Sequence, residues 1–161
     1  DNELILVEVK QSGIFSNAKF LGDHHSALND LKNSVGKAIK QIRVTKNLIA
    51  NGLQELSAFK NCTIAHSLIV LYDRLYNANS ICKDLLKTEY GNLDDISVIN
   101  ISELESFLGL QNQNQDFIEI LKNKAVNYPT YDFNEMWACA YKNRVDSKTF
   151  LKKYYEQVMP V

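Results

Sequence analysis

Residues 3–11 read ELILVEVKQ, and this stretch decides the fold. Leu4, Leu6, Glu8 and Lys10 fall at alternate positions, with Ile5, Val7 and Val9 between them. A period of two in a run of Leu, Ile and Val is the pattern of a β-strand. Side chains two apart on a strand point the same way, so Glu8 and Lys10 are aimed at one place. A strand this apolar carries two charges near its end only if water, a partner or a ligand receives them.

Outward from this strand, Asp1 and Asn2 read as the end of a hairpin turn, which calls for a further strand before it. Residues 12–25 read as a loop containing Gly13, Gly22, His24 and His25. From Ser26 to Ala50 the period changes. Leu28, Leu31, Val35, Ile39, Ile42 and Ile49 recur at helical steps as one apolar stripe, and Asn51-Gly52 is a helix stop. Residues 63–72 (TIAHSLIVLY) read as a buried strand, 78–90 as a helix closed by Gly91, and 95–101 as a third strand. Ser102 with Glu105 three residues on spells a capping box for a helix over 103–109. Helices are expected at 114–126, 132–143 and 147–158, with Asn127 to Thr130 as an interruption.

Strand, helix, strand, helix, strand and then helices is the order of an α/β fold: a sheet with helical cover. The chain of 161 residues suits one domain with a real core. Three strands are thin for so many helices, so the sheet is expected to be completed by an upstream segment or a partner chain. The net charge of -1 excludes a uniformly basic surface, and any nucleic-acid contact must be local. Cys62, Cys82 and Cys139 are odd in number and contain no CxxC, which argues against a zinc cage and a disulfide framework and fits the reducing cytoplasm. No apolar run approaches a membrane span.

The Glu8 carboxylate can hold a hard divalent cation through oxygen, and the Lys10 ammonium can steady charge on a phosphate. The stretch ELILVEVKQS, Gln41 within KAIKQI, the strand SLIVLYD and the later VINISELESFL resemble the PD-(D/E)xK nuclease superfamily, in its nuclease-related and restriction-endonuclease-like branches. The resemblance covers roughly residues 1–110. It implies a restriction-endonuclease-like core with a small mixed sheet flanked by helices, followed by a helical extension over 111–161 packed on that core. It implies Mg²⁺ or Mn²⁺ held by Glu8 and the Val9 carbonyl, with Lys10 and Gln41 as further catalytic residues. It implies hydrolysis of DNA, in defence or repair. The family also places an Asp at the start of the preceding strand. Asp1 is too close to Glu8 for that role, so the ligand is expected upstream.

The plainer reading of Glu8 and Lys10 is a same-face ion pair at a sheet edge, where lysines commonly stand guard. Lys37, Lys40 and Arg43 are candidate phosphate contacts on the helix after the motif, against the alternative of a solvated face. His24 and His25 are read as solvated, and Asp73-Arg74 as a strand-end turn. Phe133, Trp137 and Tyr141 at four-residue steps are read as a packing stripe, rather than a platform for bases. Catalytically inactive binding, or assembly through the aromatic tail that also holds Phe150, Tyr154 and Tyr155, is the competing function.

Overall fold

The ELILVEVK run forms strand β1 (Glu3–Lys10) in a computed structural model that describes residues 2–11, 24–72, 78–110 and 117–140. It pairs with β2 (Thr63–Leu71), which pairs in turn with β3 (Ile96–Asn100), in the order β1-β2-β3. Both pairings are parallel. The sheet of the described residues is therefore parallel, where the resemblance implied a mixed one. The cause is the connections: each strand returns through a helical crossover, which delivers the next strand in the same direction. Asn2, expected in a turn, already belongs to the ladder, because its carbonyl accepts the Thr63 N–H at 2.9 Å.

The first crossover holds α1 (His24–Leu31), a π-helical turn (Lys32–Gly36) and α2 (Lys37–Ala50). The helix thus begins at His24, two residues before the expected start, and takes in His24 and His25. Inside the π turn the Ser34 hydroxyl donates to the Asp30 carbonyl at 2.7 Å, a back-bond that competes with the regular ladder. A Cβ on Gly36 would lie 2.6 Å from the Tyr90 hydroxyl, so glycine there permits the close approach of the next helix, α3 (Ala78–Tyr90).

The stripe works as read. Leu31, Val35, Ile39 and Ile42 bury against Ile69, Leu71 and Val98 of the sheet and Leu86 and Tyr90 of α3, with Leu6 and Leu28 at the margin. Each fully buried aliphatic side chain contributes about 1.5–3 kcal/mol. Gly52 (φ 66) ends α2: its N–H reaches the Ile49 carbonyl at 3.0 Å and the Leu53 N–H reaches Leu48 at 3.1 Å, a Schellman closure.

The other sheet face is covered by α4 (Ile101–Leu110), α5 (Phe117–Asn127) and α6 (Phe133–Ala140). Leu68, Val70 and Ile99 pack there on Ile120, Leu121, Phe133 and Met136, with Ile5 and Trp137 alongside. The described part of the expected extension is thus the third layer of an α/β/α arrangement. Phe133 and Trp137 pack as the stripe predicted. The cap of α4 falls two residues earlier than expected. Asn100 and Glu103 exchange bonds, Oδ1 receiving the Glu103 N–H at 3.0 Å and Oε2 the Asn100 N–H at 3.1 Å. Both Asn100–Glu103 and Ser102–Glu105 spell a capping box; the strand ends at Asn100, which selects the first.

The expected loop over 12–23, residues Asp1, Asp73, Arg74 and Gln111 to Gln115, the 147–158 helix, and Tyr141, Phe150, Tyr154 and Tyr155 lie outside the described residues. Among the described residues no helix is long and apolar enough to cross a membrane.

Candidate active site at the end of strand β1

β1 delivers Glu8 and Lys10 to the C-terminal end of the sheet, and α2 lays Gln41 over them. The Lys10 ammonium donates to Glu8 Oε1 at 2.8 Å and also to Gln41 Oε1. The side chains of Lys10 and Glu8 are 17% and 27% exposed, so the pair is held in protein yet reachable from water. Three residues chosen from the sequence converge, Lys10 and Gln41 being 31 positions apart. The same geometry also satisfies the plainer reading, since Glu8 and Lys10 do form a same-face ion pair on a strand that is at the sheet edge among the described residues.

Main-chain direction matters as much as side-chain direction here. The Lys10 carbonyl accepts the Tyr72 N–H at 3.1 Å, so even-numbered residues of β1 turn their backbone groups toward β2. Alternation then turns those of Ile5, Val7 and Val9 away from β2. The Val9 carbonyl has no strand beside it among the described residues. On the sheet face opposite Glu8, Val7 and Val9 are 54% and 60% exposed.

This donor set is small: one carboxylate whose Oε2 carries no hydrogen bond among the described residues, and one edge carbonyl. Among those residues no group of three or more His, Cys, Asp or Glu could hold a metal. Oxygen donors in this number suit a hard cation that keeps most of its shell in water and phosphate oxygens, as Mg²⁺ does. They do not suit zinc, which takes three or four protein ligands.

The three candidate phosphate contacts of α2 separate. Arg43 donates to the carbonyls of Tyr90 and, at 3.3 Å, Asn92, where it closes the C-terminus of α3. The Lys40 ammonium lies 5.5 Å from the centroid of the Tyr90 ring. Both face α3. Lys37 is exposed one helical turn before Gln41 and shares its side of the helix, so it is the basic residue of the three that flanks the site.

A second polar group lies beneath α5 and α6 and was not singled out in the sequence. His66 Nε2 is 2.9 Å from Ser97 Oγ, and burial, then the Lys124 charge, push the imidazole down to about 4. Lys124 is fully buried and donates to the carbonyls of Tyr128 at 3.0 Å and Pro129 at 3.5 Å. Asn79 bridges the β3 backbone at Val98 to the Asp132 carboxylate. A signal existed: Phe117, Ile120, Leu121, Lys124 and Tyr128 recur at helical steps, so Lys124 sits on the apolar stripe while Lys122 does not. His66 likewise alternates with Leu68 and Val70 on one face of β2.

Comparisons with protein-family models, with curated proteins and with solved structures return no match for the chain.

Proposed function

We propose that this chain carries a Mg²⁺-dependent nuclease site of the PD-(D/E)xK type that hydrolyses DNA. The observation that carries the reading is the meeting of Glu8, Lys10 and Gln41 at the C-terminal end of a parallel strand, the end at which α/β sheets place their ligands. Glu8 and the Val9 carbonyl would hold the cation. When bound, Mg²⁺ would supply Lewis acidity and a nucleophilic water. Lys10 stabilises negative charge growing on the scissile phosphate, and Gln41 fixes the direction of its ammonium. Lys37 lies where a phosphate of the bound strand could be met.

The test is cleavage of duplex and single-stranded DNA by the full-length protein with Mg²⁺ or Mn²⁺, beside Glu8→Ala and Lys10→Ala. The expected result is a loss of at least about a hundredfold in each variant, with circular dichroism unchanged. Cleavage indifferent to both changes would remove the assignment. The ion pair itself favours a second reading, a nuclease-fold module that binds without cutting, because Glu8 and Lys10 satisfy each other without a ligand. Salt-sensitive DNA binding with no cleavage by the wild type would select it.

A further inference from the structure

We infer that Lys10 gates cation binding at Glu8, so that a divalent cation and a phosphodiester are taken up together rather than in sequence. The inference rests on the nuclease reading above and adds the order in which the site fills. Its ground is the placement of the ammonium. The Lys10 ammonium is bonded both to Glu8 Oε1 at 2.8 Å and to Gln41 Oε1, and so is held against the carboxylate that would receive the cation.

A divalent cation held by Glu8 would share that carboxylate with the ammonium. The pair is mostly withdrawn from solvent, with side chains 17% and 27% exposed, so the repulsion is screened less than in bulk water. Glu8 and Lys10 cancel, which leaves a lone divalent cation facing a site of no net charge. Two changes relieve this. One is removal of the ammonium, which exposes the full charge of Glu8. The other is arrival of a phosphodiester, whose negative charge Lys10 would meet while Glu8 held the cation. The same lysine that stabilises the phosphate thus keeps the unloaded site from collecting metal. Gln41 is a positioning residue: its amide oxygen prevents the ammonium from swinging away when a cation approaches.

The experiment is Mn²⁺ binding to the full-length protein, followed by electron paramagnetic resonance of the free ion, with and without a short DNA duplex. Mn²⁺ bound by the duplex alone is subtracted. Wild type is compared with Lys10→Met, Gln41→Ala and Glu8→Gln. Without DNA, Lys10→Met is expected to bind Mn²⁺ at least tenfold tighter than wild type, and Gln41→Ala a few-fold tighter. DNA is expected to tighten Mn²⁺ binding in wild type and far less in Lys10→Met. Equal Mn²⁺ affinity in wild type, Lys10→Met and Gln41→Ala, with binding abolished by Glu8→Gln, would overturn the gate while leaving the nuclease reading in place. Mn²⁺ binding indifferent to Glu8→Gln would remove the nuclease reading and the gate with it. Gln41→Ala changes a residue exposed on the helix surface, so it tests the gate even where Lys10→Met folds poorly.

Discussion

Lys10 and Lys124 serve opposite layers of one sheet, and the chain treats their charges in opposite ways. Lys124 has no exposure at all; its ammonium meets the carbonyls of Tyr128 and Pro129 and lies 5.3 Å from the centroid of the Phe133 ring. Burial pushes it down to about 8, with the charge of Lys83 adding to the fall. Its work is to tie the end of α5 to the turn that starts α6. Lys10 keeps contact with water and is given a carboxylate and an amide oxygen as partners. A cation used as a structural clasp is surrounded by backbone carbonyls and sealed. A cation poised for a ligand is paired with a group that can be shared.

The largest effect that could break this contrast is on stability. Lys124→Ala removes the clasp and opens a cavity, and although the Tyr128 carbonyl keeps the Tyr131 N–H at 3.2 Å, the lost packing and the lost bond to Pro129 together cost about 3–4 kcal/mol. Lys10→Ala removes a partly exposed pair and costs under about 1 kcal/mol. Urea unfolding midpoints of the two variants measure the difference. Equal losses would make Lys10 a structural residue too.

An acid-side effect follows in size. The buried imidazole of His66 is held at about 4, below the ordinary 6.5 that it regains on unfolding. Between those values the unfolded chain takes up a proton that the folded chain refuses. Stability is therefore full above about pH 6.5 and falls as pH drops toward 4, by up to roughly 3 kcal/mol. Unfolding measured across pH 4–7 should show that slope, and His66→Gln should flatten it. A slope unchanged by the substitution would assign the acid sensitivity to other groups.

How far the sequence could be read follows from the range of the forces involved. β1, the α2 stripe and the Gly52 stop were legible because period and φ preference are local properties of Leu, Ile, Val and Gly. Glu8, Lys10 and Gln41 could be selected as residue types, but their meeting depends on how α2 crosses β1. The parallel direction was written in the alternation of strands and helices, since a helical crossover returns the next strand the same way, and the mixed sheet came from the resemblance alone; what the alternation leaves open is register, such as Lys10 beside Leu71. The burial of Lys124 was written in its helical spacing, yet a lysine is so seldom sealed in a core that its residue type outweighed its position. The π turn at Lys32–Gly36 has no sequence rule to announce it; Gly36 is there because Tyr90 leaves no room for more.

The smallest effect sharpens the contrast at its boundary. Asn100 ends β3 at the same C-terminal end of the parallel sheet at which Lys10 ends β1, but its side chain is spent on the reciprocal cap with Glu103. Asn100→Ala should cost about 1 kcal/mol, the usual loss for an N-cap. Ser102→Ala, on an exposed residue in the first turn, should stay within about 0.5 kcal/mol. Denaturation midpoints read both values, and the order between them tests which capping box is in use. DNA cleavage by Asn100→Ala, measured at a temperature where the variant is fully folded, carries the second half of the argument. Cleavage equal to wild type would confine the chemistry to β1 and α2, with β3 serving only as scaffold. Cleavage that falls further than the lost stability explains would extend the site across the end of the sheet and make Asn100 part of what receives the DNA.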